Sequence, residues 1–389
     1  MKQKIDPSLY ESVFTLSSKE NVDCLIYSRS PYQLENYFVK NKKNLGISSI
    51  NVFPFIGAIG VNILPSSLQK ISALKIVEYV SRAASVQAMI DVSRKIMRVD
   101  EVHNAGFRGE GVTICYIDTG LAPHMDFVFG KNRVLHFENF VTDNQTMHDD
   151  NGHGTFVCGV GSGNGLASGG KYEGVAPASN IVALKALSSD GESGAMTILS
   201  AMQWVYDHHL EYNIRVVCMS FGSEPMMVND PIAKGAEMLV GKGIVVVAAA
   251  GNSGPEYQTI KSPGVSTKII TVGGLDDRRV FDGHYDTKNF KIAKFSSRGP
   301  AFSKFKPDCL APSVDITSCT QDKKMYGKMS GTSVATPMIA GLCALILQKY
   351  PRATPYQVKQ KLVASCRPIS FNKNEEGYGL VDAFKFVMF

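Results

Sequence analysis

The chain has 389 residues, which is enough for one large core or for a large domain preceded by a small one. Hydrophobic residues make up 44% and charged residues 20%, a composition typical of a folded globular protein and not of a disordered one. The formal net charge of +6 comes from 41 basic and 35 acidic residues spread along the chain. No dense basic block therefore predicts binding to nucleic acid or to an anionic membrane.

The first residues, Met1 to Pro7, lack the apolar core of a secretory signal. No stretch approaches the ~18 continuous apolar residues of a membrane span. We therefore expect a cytoplasmic protein, with export by a route that needs no signal as the alternative. The eight cysteines include no CxxC pair, and several lie in apolar runs such as 112–117. This pattern predicts free buried thiols and not metal ligands or a disulfide scaffold.

The first part of the chain, from about residue 20 to 89, predicts a small α+β unit. The predicted elements are a strand at 24–27, a helix at 33–44, strands at 50–55 and 58–63, a helix at 65–71 and a strand at 75–80. This βαββαβ order is typical of a ferredoxin-like module.

From about residue 90 a helix-compatible stretch runs to Val102, and strands then alternate with helices. The predicted strands are nearly continuous in apolar residues, at 112–117, 180–186, 216–220, 244–250 and 269–272. Such strands are typical of a parallel sheet that is covered on both faces. Helices are predicted at 154–162, 194–207, 231–242, 333–349 and 355–365. The fold class is therefore α/β, with a mostly parallel sheet and helices on both faces.

Three segments framed by glycine carry candidate catalytic side chains. Asp118 follows a buried strand and precedes Thr-Gly, His153 lies between two glycines, and Ser333 follows Gly331-Thr332 at the start of an apolar helix. Taken singly, each has an ordinary explanation, as a turn residue, a non-catalytic histidine or a helix cap. Together, Asp, His and Ser in this chain order match one of the known arrangements of serine hydrolases.

On these motifs the chain resembles the subtilisin-like serine proteases over roughly residues 90–385. The motifs are Asp118-Thr-Gly, His153-Gly-Thr and Gly331-Thr-Ser333-Val-Ala-Thr-Pro337. The resemblance implies a subtilisin-like α/β fold and a serine endopeptidase. Ser333 is the expected nucleophile, His153 the general base and Asp118 the group that orients the imidazole.

Further segments resemble the substrate-binding parts of the family. Asn252, in Ala248 to Pro255, resembles the asparagine that donates its amide to the oxyanion, with the backbone N–H of Ser333 as the second donor. The resemblance implies an edge strand that pairs with an extended polypeptide substrate at Ser220, Phe221 and Gly222. It implies one wall of the S1 pocket, which takes the side chain before the scissile bond, at Ala249, Ala250 and Gly251. Specificity is expected to be broad.

Two loop segments and one proline also resemble family features. Pro263 resembles a cis-proline beside the S1 pocket, with an ordinary loop proline as the alternative. Residues 296–300 and 306–312 are expected to be structural loops.

The resemblance implies two domains with different roles. Residues 1–89 are the expected propeptide, which chaperones folding, inhibits the active site as an intramolecular partner and is removed autocatalytically close to Met89. Residues 90–389 are the expected catalytic domain. A permanent accessory domain is the alternative for the first part.

No metal ligand is assigned, and the chemistry requires no cofactor. Residues 161–174 lack the family's usual calcium-loop pattern, so a structural calcium has no clear motif behind it. Asp143, Asp149 and Asp150 lie near His153 in the sequence, but loop carboxylates are more commonly solvated than metal-bound.

Two rival functions follow from the same residues. A pseudoprotease that only binds polypeptide is opposed because no triad member is missing. An esterase of the α/β-hydrolase fold is opposed because it needs a G-x-S-x-G elbow and the order Ser, Asp, His.

Overall fold

The computed structural model describes residues 4–6, 9, 21–82, 92–227, 229–279, 281 and 287–389. The chain divides into two compact units, Met1–Ala88 and Met89–Phe389. The predicted cleavage point near Met89 lies outside the described residues.

In its described residues, the first unit has a four-stranded sheet and two α-helices whose bounds are defined. Its elements are β1 (Val22–Tyr27), α1 (Pro31–Lys40), β2 (Ser49–Phe53), β3 (Ala58–Ile63), α2 (Leu68–Ser72) and β4 (Tyr79–Arg82). The strand order is β2-β3-β1-β4, and each neighbouring pair is antiparallel. This is the ferredoxin-like β-α-β-β-α-β arrangement. Its core is built from one face of the sheet and the apolar faces of the helices, as at Ile26, Leu34 and Phe38.

The two boundaries in this unit that differ most from the sequence prediction are the end of α1 and the start of β4. Helix α1 ends at Lys40 and not near residue 44, because the Asn41 side chain donates a 2.9 Å hydrogen bond to the Tyr37 carbonyl and caps the last turn. The strand predicted at 75–80 begins only at Tyr79. A turn precedes it, closed by a hydrogen bond from the Val77 N–H to the Leu74 carbonyl.

The second unit is the α/β part of the chain. Its helices of eight residues or more are α6 (His153–Ser162), α7 (Ala195–His208), α8 (Pro231–Gly241), α9 (Thr332–Lys349) and α10 (Pro355–Ser365). Its shorter helices are α3 (Val92–Ile96), α4 (Val99–Asn104), α5 (Met125–Val128), α11 (Lys373–Glu376) and α12 (Ala383–Met388). Its strands are β5 (Thr113–Asp118), β6 (Val134–Asn139), β7 (Asn180–Lys185), β8 (Ile214–Met219), β9 (Val245–Ala249), β10 (Ile270–Asp276), β11 (Lys291–Ile292), β12 (Cys309–Pro312), β13 (Ile316–Cys319), β14 (Tyr326–Met329), β15 (Cys366–Arg367) and β16 (Leu380–Val381).

The large sheet has the order β15-β16-β12-β10-β9-β8-β5-β7-β6, with β11 paired to β10. All pairs from β6 to β16 along this path are parallel, and the β15 and β11 pairings are antiparallel. Strand β5 is buried along its whole length, as expected for a central strand covered on both faces. The predicted mostly parallel α/β sheet is therefore present.

Strand β12 corrects one sequence prediction, because residues 306–312 were expected to form a loop. Cys309, Leu310 and Ala311 are fully buried and pair in parallel with β10. The run is only four residues long and ends at Pro312, so its apolar pattern is too short to separate a strand from a buried loop.

Helix α9 crosses the core behind the sheet. It is long and apolar enough by composition to cross a membrane, but 83% of its residues are buried inside the protein, as in the core helix of a folded domain. Its first turn carries Ser333. All eight cysteines are free thiols, and seven of them are buried.

The carboxyl ends of three neighbouring strands meet at one edge of the sheet. Asp118 is the last residue of β5, Ser220 directly follows β8, and Ala250 directly follows β9. These strands are adjacent in the order β9-β8-β5. Ligands of open α/β sheets bind at this edge, so the fold itself gathers the candidate residues.

Candidate active site

Asp118 and His153 form a short hydrogen bond. Their closest atoms, Asp118 Oδ1 and His153 Nδ1, are 2.7 Å apart. The Asp118 carboxylate is buried, whereas about a quarter of the His153 side chain is exposed. A carboxylate can only accept here, so Nδ1 carries the proton and Nε2 is left as the basic nitrogen.

The turn that presents His153 is held by Thr119 and Asp149. Asp149 is buried, and one or the other of its carboxylate oxygens accepts from the Thr119 hydroxyl at 2.9 Å and from the Thr155 N–H and hydroxyl at 2.8 and 2.6 Å. It also accepts from the Gly152 N–H. The Thr119 hydroxyl in turn accepts from the Gly154 N–H at 2.8 Å. Asp149 is therefore a structural acceptor and not the solvated loop carboxylate that its sequence neighbourhood predicted.

Gly154 allows this turn to lie directly against β5. A Cβ atom built on Gly154 would overlap the Gly120 carbonyl oxygen and lie 3.2 Å from the Asp118 Cβ. Any larger residue would push helix α6 away from the strand. The glycine after the histidine thus fixes the distance between the imidazole and the carboxylate.

The electrostatics of His153 favour its protonated form more than in water. Burial opposes the positive charge, but the Coulombic attraction and hydrogen bond of Asp118 and the charge of Asp149 outweigh it. The pKa of His153 is therefore raised above its usual value. A proton taken up by Nε2 is stabilised by the same carboxylates.

The second cluster lies at the start of helix α9. Asn252 Oδ1 accepts two hydrogen bonds of 2.9 Å from Thr332, one from its backbone N–H and one from its hydroxyl. This fixes the amide so that Nδ2 points the other way, where it hydrogen-bonds to none of the described residues. A Cβ built on Gly331 would lie 3.2 Å from Asn252 Nδ2 and 3.1 Å from Ser333 Oγ. The free amide and the serine hydroxyl therefore border the same small space.

Gly331 has φ 154° and ψ 161°, a conformation that residues with a Cβ rarely adopt. It turns the chain into α9 so that Ser333 occupies the first turn of the helix, where the free N–H groups and the helix dipole favour a negative charge. Within the described chain, no hydrogen bond joins Ser333 to His153. Such bonds are often long before substrate binds and tighten in the complex.

Comparison with known proteins identifies the family. Residues 109–380 match the model of the subtilase family. The chain belongs to the subtilase family. It is therefore a serine protease that acts on peptide substrates.

The relatives of this subtilase span most of its length. It is 37% identical over 338 residues to serine protease AprX of Bacillus subtilis (strain 168), covering 80% of this chain and 74% of that one. A cold-adapted subtilisin-like serine proteinase of known structure superposes with a TM-score of 0.55 at 30% identity, covering 71% and 88% of the two chains. Sphericase superposes with a TM-score of 0.63 at 25% identity, covering 76% and 99%. The subtilisin-like α/β fold is confirmed.

The substrate-binding segments predicted for the subtilase lie on the same edge of the sheet. Ser220, Phe221 and Gly222 follow β8 and belong to no strand of the structure, and their pairing with a substrate strand stays a prediction. Ser223 ties this segment to Ser262 by two backbone hydrogen bonds of 2.9 Å. Phe221 and Gly222 form no backbone–backbone hydrogen bond with another described residue, so their polar groups stay available.

The predicted S1 wall follows β9 directly. Ala249 ends the strand, Ala250 donates its N–H to the Val272 carbonyl, and Gly251 receives a hydrogen bond from the Ser297 N–H. The Ser262–Pro263 peptide bond is cis, as the resemblance implied.

The acids near His153 in sequence do not gather into one metal site in the described part of the chain. Asp143 is exposed, and Asp150 pairs with the buried ammonium of Lys185 at 2.6 Å. The Asp149 carboxylate accepts its hydrogen bonds from protein donors. The three carboxylates therefore have different surroundings and do not share a ligand site.

A different trio, His124, Asp126 and Cys319, has ligand atoms within 4.8 Å of one another. The Asp126 carboxylate, however, accepts from the backbone N–H groups of Gly165 and Ala167 and from the Tyr326 hydroxyl. His124 Nδ1 accepts from the Asp126 N–H, and burial, only partly opposed by the charge of Asp126, lowers the pKa of His124. N–H and O–H groups aimed at the carboxylate occupy the positions that a cation would need. The trio therefore belongs to a hydrogen-bonded network that holds the loop at Gly165 and Ala167, and it does not fit a metal ion.

Three functional residues were missed by sequence reasoning: Thr119, Asp149 and Thr332. Each is a short polar residue that holds a motif segment by hydrogen bonds: the Thr119 hydroxyl accepts from the Gly154 N–H, Asp149 accepts from the Thr155 N–H, and Thr332 donates to Asn252 Oδ1. For Thr119 and Thr332 the sequence signal was their position inside the motifs Asp118-Thr-Gly and Gly331-Thr-Ser333. Asp149 lies outside these motifs, and its position near His153 predicted only a solvated loop carboxylate.

Proposed function

We propose that Ser333, His153 and Asp118 form the catalytic triad of this serine endopeptidase, with an acyl-enzyme on Ser333. The observation that carries the proposal is the 2.7 Å bond between Asp118 and His153 Nδ1, which leaves Nε2 basic. Nucleophilic catalysis needs a base and a hydroxyl group that the base can deprotonate. His153 offers the base at this edge of the sheet, and Ser333 offers a hydroxyl that has no hydrogen-bond partner among the described residues.

In the acylation step, Ser333 Oγ attacks the carbonyl carbon of the scissile bond while His153 Nε2 takes the hydroxyl proton. The tetrahedral intermediate then breaks its C–N bond, and His153 gives the proton to the leaving amine. Water then attacks the acyl carbon while His153 Nε2 takes its proton, the bond from that carbon to Ser333 Oγ breaks, and His153 returns the proton to Oγ as the acid product leaves. Asp118 keeps the imidazole in one tautomer and stabilises the imidazolium.

We assign the oxyanion hole to Asn252 Nδ2 and the backbone N–H of Ser333. The Thr332 bonds to Asn252 Oδ1 hold the amide in place before substrate arrives. A donor that needs no reorganisation stabilises the developing charge by about 3–4 kcal/mol, a magnitude established on a subtilisin.

Substrate is proposed to bind as an extended polypeptide. Residues 220–222 offer unused backbone groups for pairing with its main chain, and residues 249–251 form one side of the S1 pocket. Pairing through main-chain groups is insensitive to sequence, which supports broad specificity at positions other than the one that enters S1.

We further propose that the chain is made as a zymogen, with residues 1–89 as propeptide and inhibitor and cleavage close to Met89. The separate compact unit Met1–Ala88, with its own core, supports this assignment. A unit that folds by itself can be removed without unfolding the rest.

The test is intact mass and N-terminal sequencing of the purified wild-type chain beside Ser333→Ala, followed by a casein assay of each. We expect wild type to be cut near residue 89 and to digest casein, and Ser333→Ala to stay full length and inert. An uncut wild-type chain with full activity would overturn the zymogen proposal and leave the triad standing. An intact wild type without activity, unlabelled by a serine-directed phosphonate, would overturn the triad.

A further inference from the structure

Lys261 lies between the two segments that border the proposed S1 pocket. Its backbone N–H donates a 2.9 Å hydrogen bond to the Ala250 carbonyl, on the side of residues 249–251. The next residue, Ser262, pairs with Ser223 on the side of residues 220–222. The backbone of Lys261 is therefore fixed from both sides.

The methylene stem of Lys261 fills the gap between two glycines. A Cβ built on Gly222 would lie 2.6 Å from Lys261 Cβ, and one built on Gly251 would lie 2.5 Å from Lys261 Cγ. Gly222 and Gly251 come from the two opposite segments, so the stem is in contact with both. Only 18% of the Lys261 side chain is exposed.

The ammonium end of Lys261 pairs with Glu224, whose side chain is 83% exposed. Exposed ion pairs change an equilibrium by no more than about fivefold, so this pair is a weak tether. The Cβ and Cγ atoms, by contrast, are placed by the fixed backbone. The obstruction between the glycines therefore persists wherever the ammonium goes.

We propose that Lys261 is a specificity-determining residue whose stem closes the S1 pocket, so that the enzyme accepts a short side chain such as alanine before the scissile bond and rejects phenylalanine. This inference rests on the proposed function and narrows it at one position. Other substrate positions keep the breadth that main-chain pairing gives.

The test compares two tetrapeptide p-nitroanilides that differ only in the last residue, alanine or phenylalanine. Wild type, Lys261→Ala and Lys261→Gly are titrated with a serine-directed phosphonate so that rates refer to active enzyme only. We expect wild type to favour alanine, and the kcat/KM ratio of phenylalanine to alanine to rise by about tenfold or more in Lys261→Gly. Lys261→Ala keeps the Cβ, so its phenylalanine-to-alanine ratio should lie between those of wild type and Lys261→Gly.

Two controls separate the stem from the charge. Lys261→Met keeps an unbranched stem and removes the ion pair, so its ratio should stay within about fivefold of wild type. Lys268→Met removes a comparable Lys–Glu pair, Lys268 with Glu237 at 2.8 Å, and should leave the ratio unchanged.

A ratio that is the same in wild type and Lys261→Gly would overturn the inference, as would Lys261→Met behaving like Lys261→Gly. Failure of the proposed function has a different signature, because a wild-type chain that is neither labelled nor active on either peptide yields no ratio at all.

Discussion

The two halves of the site are restrained in opposite ways. The base half, Asp118 and His153, is joined by a 2.7 Å hydrogen bond, and Thr119 and Asp149 bond to the turn that carries His153. The proposed oxyanion half, Ser333 and Asn252, has Thr332 bonded to Asn252 Oδ1. Asn252 Nδ2 and Ser333 Oγ, which we propose to face substrate, have no hydrogen-bond partner among the residues that the structure describes. The base must keep one geometry through every step, whereas the oxyanion donors are needed only when charge develops.

The largest effect should come from the centre of the base half. Asp118→Asn places an amide N–H against His153 Nδ1, which favours the tautomer that lacks a basic Nε2. We expect kcat to fall about 10⁴-fold while the fold is retained. The measurement is kcat on a p-nitroanilide after active-site titration. Asp150→Asn, at an acid that pairs with Lys185 and not with His153, is the control; a loss below tenfold in Asp118→Asn would contradict the assignment.

In the oxyanion half, Asn252→Ala removes a donor that acts only in the transition state. We expect kcat to fall 10²- to 10³-fold with little change in KM, a range that comes from a subtilisin. Ser253→Ala, at the exposed neighbouring residue, should be near wild type. A change confined to KM would show that Asn252 binds substrate in its ground state instead.

The fold of the second unit could largely be predicted from its sequence because its central strands are continuous apolar runs. Strands β5, β8 and β9 were expected within one or two residues of their observed bounds. Strand β6 was missed because only one of its six residues is buried and the polar residues His136 and Glu138 interrupt its apolar pattern. Strand β12 was missed because an apolar run of four residues is too short to show the hydrophobic periodicity that identifies a strand.

The site divides in the same manner. The residues that carry the chemistry stand in motifs and could be named from the sequence, together with their order. The residues that hold them could not, because Asp149 reaches Thr119 across 30 positions and Thr332 reaches Asn252 across 80. Only the fold brings such partners together, and a short polar residue beside a motif has an equally good explanation as a cap.

Asp149 provides a way to weaken the base half without touching a reacting group. Asp149→Asn replaces an acceptor oxygen by an amide that faces N–H and O–H donors. We expect a loss of about 1–3 kcal/mol in the free energy of unfolding, because buried donors lose their partner. Urea unfolding in the Ser333→Ala background avoids self-digestion. Asp143→Asn, at an exposed carboxylate, should be neutral; equal stability of the two variants would show that the Asp149 network carries no free energy.

A smaller effect is expected from Thr332, the support of the oxyanion half. Thr332→Val removes the hydroxyl that donates to Asn252 Oδ1 and accepts from the Gly251 N–H at 3.2 Å. The backbone bond from Thr332 to Asn252 Oδ1 remains, so the amide is held by one contact. We expect kcat to fall about tenfold, the worth of one hydrogen bond. Thr332→Ser should recover most of the loss because it restores the hydroxyl. A valine variant with wild-type kcat would mean that the backbone bond alone orients the amide.

The pH profile tests whether the base half is electrostatically coupled as the geometry implies. His153 is active only when Nε2 is neutral, so activity falls as the pH falls through its pKa. Burial lowers this pKa, but Asp118 and Asp149 raise it by more than burial lowers it, so the net shift is upward. The acid limb of kcat/KM should therefore have its midpoint above about 6.5, the ordinary pKa of histidine.

In Asp149→Asn one of the two negative charges that raise the His153 pKa is removed, so the limb should move toward lower pH. The variant then gains relative activity on the acid side although its folded state is less stable. The kinetics are measured in buffer without urea, and circular dichroism at each pH shows that the variant is folded there. This separates the shift of the His153 pKa from the loss of stability. A midpoint that stays in place would show that Asp149 supports His153 only through the backbone turn and not through its charge.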